Sequence, residues 1–256
     1  MDDNICRLCG NNFLDEEMSE EHYPAKSVGN EDIVLFDIAK MFDSLKLLEH
    51  KKFKTKDELN IFMDNNFEKC VAKNLFPQGR TARTLCKKCN QFLGKYDETY
   101  LKFFNVNGDC NSVKGFSKQT KLNIIKAIYG KFLSLPEAAT EKFDFLEFVK
   151  DVKSDSYQGE WNLYFIKRNH TTDLMGMPDI GTGKEFFDRG IVYELSDEKF
   201  IFNLLNFEKH DSIEMTNIFE ILNKNYTIVE GVSEKGSYHE SIFLSRMFKQ
   251  MYENDR

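Results

Sequence analysis

Apolar residues at Val34, Leu35, Ile38, Met41, Phe42, Leu45 and Leu48 recur with the 3.6-residue period of a helix that buries one face. The same period runs through Leu59, Phe62, Met63, Phe67, Cys70 and Val71, behind Thr55-Lys56-Asp57-Glu58, a capping box. A third helix is expected to begin near Lys87 and to carry Leu93, Tyr96, Tyr100 and Phe104 along one face, before a turn-rich break at Asn105-Val106-Asn107-Gly108-Asp109. The second half opens with a helical stripe of Leu122, Ile125, Ile128, Tyr129, Phe132 and Leu133, then Pro136 and a helix through Phe145, Leu146 and Val149. After Ser154 the period falls to two. Trp161, Leu163 and Phe165 alternate with their neighbours, Ile191-Val192-Tyr193 follows a glycine, and Phe200, Phe202 and Leu204 alternate again, which predicts an antiparallel sheet. A capping box of Ser237 with Glu240 introduces a tail helix presenting Ile242, Phe243, Met247, Phe248 and Met251. The predicted class is α+β, with a boundary at the turn-rich break that separates residues 1–105 from residues 106–256.

Composition narrows the class. The chain has 256 residues, 41% hydrophobic and 30% charged, with only 4 Pro and 14 Gly, which excludes disordered, collagen-like and low-complexity chains. Its 24 phenylalanines imply a Phe-rich core. No stretch approaches the ~18 consecutive apolar residues of a membrane span, and the start Met1-Asp2-Asp3-Asn4 lacks the basic and then apolar pattern of a signal peptide. A cytoplasmic protein with no membrane partner is therefore expected. The net charge of -7 argues against a wholly basic coat for nucleic acid. Between Lys69 and Lys102, however, eight basic residues face two acidic ones, a +6 window that leaves -13 for the remainder. Such an island is what a localised phosphate-contacting surface would look like.

Four of the six cysteines fall in two identical spacings, Cys6-Arg7-Leu8-Cys9 and Cys86-Lys87-Lys88-Cys89. Each CxxC turn points two thiolates at one centre, and two turns together supply the tetrahedral sulfur shell of a structural zinc. Gly10 suits the turn after the first pair because such a turn asks for positive φ. A redox CxxC would be a single pair beside a βαβ unit, and none is predicted here. Cys70 and Cys110 read as isolated small hydrophobes.

The remaining chemistry lies in Glu21-His22-Tyr23-Pro24-Ala25-Lys26-Ser27-Val28-Gly29 and in Thr84-Leu85-Cys86-Lys87-Lys88-Cys89-Asn90. The order of these elements is CxxC, an acidic residue and His, then Pro and a Gly-containing turn, then CxxC and Asn. In that order the chain resembles the HNH endonucleases, the ββα-metal superfamily, in their four-cysteine zinc-containing form. The match by motif covers Cys6 to Gly29 and Thr84 to Asp97, and it is silent on residues 105–256. The resemblance implies a zinc-stapled ββα-metal module in which the helical residues 31–76 are an insertion, followed by helices and an antiparallel sheet. It also implies cleavage of phosphodiester bonds in DNA, with RNA as the alternative substrate.

Hydrolysis of a phosphodiester needs a base for the attacking water and a cation for the charge on the phosphorane. His22 is the candidate base, since a neutral imidazole is the one unperturbed side-chain base near pH 7. Glu21 and Asn90 offer oxygens suited to magnesium or manganese, while Cys6, Cys9, Cys86 and Cys89 would hold the zinc. Lys26, Arg83, Lys87, Lys88 and Lys95 are the candidate phosphate contacts. Asp97 reads as a further metal-binding or lysine-orienting carboxylate, or as a plain surface residue. Thr81 stands where the family's middle Asn is expected, which favours a rival reading: a noncatalytic zinc module that binds nucleic acid or protein. An RNA-cleaving toxin is a second rival. Residues 106–256 could recognise substrate, form a homodimer or bind a regulatory protein. His50, His170, His210 and His239 have no metal-like spacing and read as surface residues. Gly181-Thr182-Gly183-Lys184 is not a phosphate loop, because Glu185 and Pro178 replace required residues.

Overall fold

The computed structural model of the chain describes residues 4–66, 72–112, 115–169, 180–231 and 237–254, which form a mixed α+β structure with antiparallel sheets. Strands Asn4–Ile5 (β1) and Asn12–Phe13 (β2) pair as a hairpin around the first CxxC turn. Met18–His22 (β3) is followed by an excursion through Ile33–Phe36 (β4), Ile38–His50 (α1), Lys56–Asn66 (α2) and Ala72–Phe76 (β5). β4 and β5 pair antiparallel, so the excursion leaves and re-enters through one two-stranded stem. Thr81–Cys86 (β6) then pairs antiparallel with β3 and runs directly into Lys87–Asn105 (α3).

The first predicted helix begins later than its apolar period suggests. Val34 and Leu35 belong to β4, where they pair with Leu75 and Asn74, and the Asp37 carboxylate starts α1 by accepting from the Lys40 N–H at 3.1 Å. In the Thr55 box the threonine hydroxyl accepts from Glu58 N–H at 3.2 Å, while Glu58 reaches back one residue further than expected, to Lys54 N–H at 2.8 Å. Phe67, Cys70 and Val71 of the second predicted stripe lie outside the described residues.

The second half comprises Lys118–Phe132 (α4), Leu146–Lys150 (α5), Asn162–Lys167 (β7), Gly181–Phe187 (β8), Gly190–Ser196 (β9), Phe200–Leu205 (β10), Thr216–Asn217 (β11) and His239–Asn254 (α6). Five strands form one antiparallel sheet in the order β11-β7-β10-β9-β8. One face, with Leu163, Phe165, Phe200 and Phe202, packs on α3 and α4, and the other, with Ile166, Val192 and Ile201, packs on Tyr238 and Ile242 at the start of α6. β10 is therefore buried on both faces, as a central strand must be.

The predicted boundary near residue 105 is not a break in the core. Phe103 of α3 stacks on Phe200 of β10 at 5.3 Å between ring centroids, and a single apolar cluster runs from Cys6 to Ile221. Nine phenylalanines, among them Phe103, Phe165, Phe200 and Phe202, are buried in this shared interior. α6 leaves Phe243 and Phe248 of its expected apolar stripe exposed. Among the described residues no helix is long and apolar enough to cross a membrane.

Candidate functional site

The two CxxC turns meet. The Sγ atoms of Cys6, Cys9, Cys86 and Cys89 all lie within 4.8 Å of one another, and the four cysteines could bind a metal such as zinc. A tetrahedral zinc with ~2.3 Å bonds to sulfur needs its ligands about 3.8 Å apart, which this cluster accommodates. Local backbone chemistry builds each turn. Gly10 takes φ +75°, its N–H donates to Cys6 carbonyl oxygen at 2.8 Å, and Cys89 N–H donates to Cys86 Sγ at 3.4 Å. Burial pushes the Cys6 thiol up, but donation from the backbone N–H groups of Cys9, Cys86 and Leu8 outweighs it and holds the thiol below its ordinary value. Burial, and then proximity to Cys86 and Cys6, pushes Cys89 up. The sulfurs thus crowd one another as a set that a bound cation would relieve.

Arg7, inside the first turn, ties this corner to the second half of the chain. Its Nη1 donates to the carbonyl oxygens of Leu133 at 2.8 Å and Leu135 at 3.2 Å, and its Nη2 donates to that of Ala138. Burial lowers its pKa to about 10, which still leaves it charged at neutral pH.

β3 and β6 carry the rest of the site. Met18 pairs with Cys86 beside the sulfur cluster, and His22 pairs with Thr81 at the opposite end of the ladder. His22 Nε2 lies 3.0 Å from the Gln78 carbonyl oxygen. A carbonyl only accepts, so Nε2 carries the proton and the lone pair of the neutral ring sits on Nδ1, available as a base. Behind His22, the fully buried Asn30 staples the Pro24–Gly29 turn to the next strand. Its Nδ2 donates to the Pro24 and Arg80 carbonyl oxygens at 2.8 and 3.0 Å, and its Oδ1 accepts from Arg80 N–H at 2.8 Å. Asn30 lies one position beyond the Gly29 that ends the recognisable motif.

Glu21 and Asn90 are placed differently from the expectation of a shared oxygen site. Glu21 is 7% exposed and forms an ion pair with Lys131 of α4, whose Nζ also lies 2.7 Å from Asp97 Oδ2 on α3. Burial alone would pull the Lys131 ammonium down, but Asp97 and Glu21 outweigh it and hold its pKa up. Asn90 donates instead to Ser19 Oγ at 2.6 Å, three residues before His22 on β3. Glu21 is thus engaged by an ammonium and Asn90 by Ser19 through Nδ2, and nothing in this geometry supports a magnesium or manganese ion held between Glu21 and Asn90 Oδ1.

The basic island is interlaced with acids. Arg83 is exposed but bridges Asp15 at 2.6 Å and Glu20 at 3.1 Å, while Lys26 pairs with Glu31 at 3.0 Å. Lys87 and Lys88 line a shallow depression that Glu16 and Glu17 also line. Lys95 is exposed on α3, and Arg80 is buried over the Tyr23 ring, 5.3 Å from its centroid. Lys69 and His170 lie outside the described residues. His239 is not a free surface histidine, because its Nδ1 lies 2.7 Å from buried Glu194.

Comparison with protein-family descriptions, with curated proteins and with solved structures finds no match for this chain.

Proposed function

We propose that the chain is an endonuclease of the ββα-metal type that hydrolyses phosphodiester bonds in DNA, with a structural zinc on Cys6, Cys9, Cys86 and Cys89. The observation that carries the reading is the strand pair β3–β6, whose second strand runs directly into α3, with the sulfur cluster at one end of the pair and His22 at the other. In this reading His22 Nδ1 takes the proton of the attacking water while Gln78 fixes the ring through Nε2. The cluster holds the β1–β2 hairpin against the β6–α3 junction, and so steadies the scaffold on which the base is placed. Lys87 and Lys88 within the second CxxC, and Lys95 further along α3, are exposed cations and are proposed to meet the substrate backbone. Arg83 would first have to exchange Asp15 and Glu20 for phosphate, a small cost for exposed pairs.

Two observations favour the noncatalytic zinc module as second reading: Thr81 opposite His22, and a Glu21 already paired with Lys131. The experiment that separates them is incubation of the full chain with supercoiled plasmid, single-stranded DNA and RNA, each with EDTA, magnesium or manganese. The expected outcome is nicked or linear plasmid with a divalent cation and intact plasmid with EDTA. Cleavage of RNA alone would move the substrate assignment to RNA, and no cleavage under any condition would leave the binding module.

A further inference from the structure

We infer that Glu21 serves the hydrolytic centre as a positioning residue clamped by Lys131, a residue of the second half of the chain, and not as a ligand of the catalytic cation. The inference rests on the nuclease reading above.

The argument starts from the strand. Neighbouring side chains on a strand point to opposite faces, so drawing Glu21 inward directs His22 outward. A register shift between Ser19 and Glu21 interrupts the β3–β6 ladder at this point. Such a bulge re-aims the side chains beyond it but leaves their direction poorly fixed by pairing alone. Glu21 supplies the missing constraint through Lys131, which is 110 positions away in sequence and only 8% exposed. Because the same ammonium also holds Asp97, it ties β3 to α3. Asp97 lies two helical turns beyond Asn90 on α3, and Asn90 meets β3 at Ser19. β3 and α3 are therefore fastened at two levels, the Ser19–Asn90 bond and the Lys131 clamp, beside the sulfur cluster that joins the β1–β2 turn to the start of α3. A divalent cation on Glu21 would have to sit against the Lys131 ammonium, where like charges oppose it.

The two roles differ in what a second substitution can repair. Removing one member of a buried pair leaves the other uncompensated, whereas removing Lys131 and Glu21 together leaves only Asp97, whose side chain is 26% exposed and can be met by water. A lost metal ligand is not restored by a change elsewhere. The test is kcat and KM for a duplex oligonucleotide, with zinc content and melting measured alongside, for Lys131→Met, Lys131→Arg, Glu21→Gln and the double variant Lys131→Met/Glu21→Gln. Misplacing His22 by about 1 Å should lower kcat of Lys131→Met by roughly 100-fold, with KM within about threefold because the phosphate contacts remain. Lys131→Arg should lose less, and the double variant should recover to within about tenfold of the parent. In a His22→Ala background, Glu21→Gln should bind Mn2+ beside duplex as tightly as the His22→Ala chain alone. A double variant no faster than Lys131→Met, or a tenfold or greater loss of Mn2+ affinity on Glu21→Gln, would overturn the inference while leaving the nuclease reading intact. If Lys131→Met does not fold, the double variant against the parent decides by the same criterion. A parent chain that cleaves nothing overturns both.

Discussion

Asp197 sits just beyond β9 with 1% exposure, accepting from the N–H groups of Lys199 and Phe200 at 2.8 Å each and from the Tyr100 hydroxyl. Burial outweighs these donors and raises its pKa to about 6. A carboxyl whose folded pKa lies above its unfolded value binds more protons folded than unfolded between the two, so its contribution to stability is present below about pH 4 and is lost as pH rises through about 6. Over that window the loss from this one group is on the order of 3 kcal/mol. Asn in its place still accepts from both N–H groups and does not ionise. Denaturant midpoints of Asp197→Asn should therefore gain on those of the parent steadily from pH 4 to pH 7, and parallel curves would show that Asp197 does not titrate in this window. Lys131 and Asn30 belong to the same scale: each is one side chain joining segments far apart in sequence, and neither carries a local signature.

At the scale of elements, β8 shows what a periodicity argument misses. Gly181-Thr182-Gly183-Lys184 has neither alternation nor strand propensity, yet it forms the edge strand of the large sheet. Its glycines make room for α6. A Cβ on Gly183 would lie 2.2 Å from Ile242 Cγ2 and 2.7 Å from Arg246 Nη2. Gly183→Ala should accordingly push α6 off the sheet and cost about 1–3 kcal/mol. Gly94 in α3 is the control, because nothing lies within 4 Å of its added Cβ, and Ala there should stabilise by roughly 0.5–1 kcal/mol. Chemical denaturation of the two variants tests the pair, and equal effects would mean that α6 does not rest on Gly183. The start of α1 makes the same point from the other side: Val34 and Leu35 fit a helical period by sequence, but their pairing with β5 decides their state.

For the molecule as a whole, much of the architecture was legible because long stripes such as Leu122 to Leu133 and Leu93 to Phe104 have only one way to be buried. The four-sulfur cluster was legible because each CxxC fixes two ligands locally and ligand number joins the pairs. The turn-rich break near residue 105 does not interrupt the core, for a physical reason. Asn107 and Gly108, with φ of 54° and 77°, close α3, and Gly108 N–H donates to the Phe103 carbonyl oxygen at 2.9 Å. That is the chemistry of a helix end and says nothing about whether the core continues past it. Here it does, through Phe103, and the candidate site draws Lys131 and the acceptors of Arg7 from the far side. The partners of Glu21 and Asn90 are tertiary facts that no spacing encodes.

The central claim is that His22 is the base of a phosphodiester hydrolysis performed on a scaffold held by the sulfur cluster. Its most direct test is single-turnover cleavage of a duplex by His22→Ala against the parent, with zinc content and melting temperature measured on the same preparations. The expected result is a rate lower by about 10²- to 10⁴-fold, with about one zinc per chain in both proteins and no change in melting. A His22→Ala protein that carries its zinc and cleaves as fast as the parent would contradict the account.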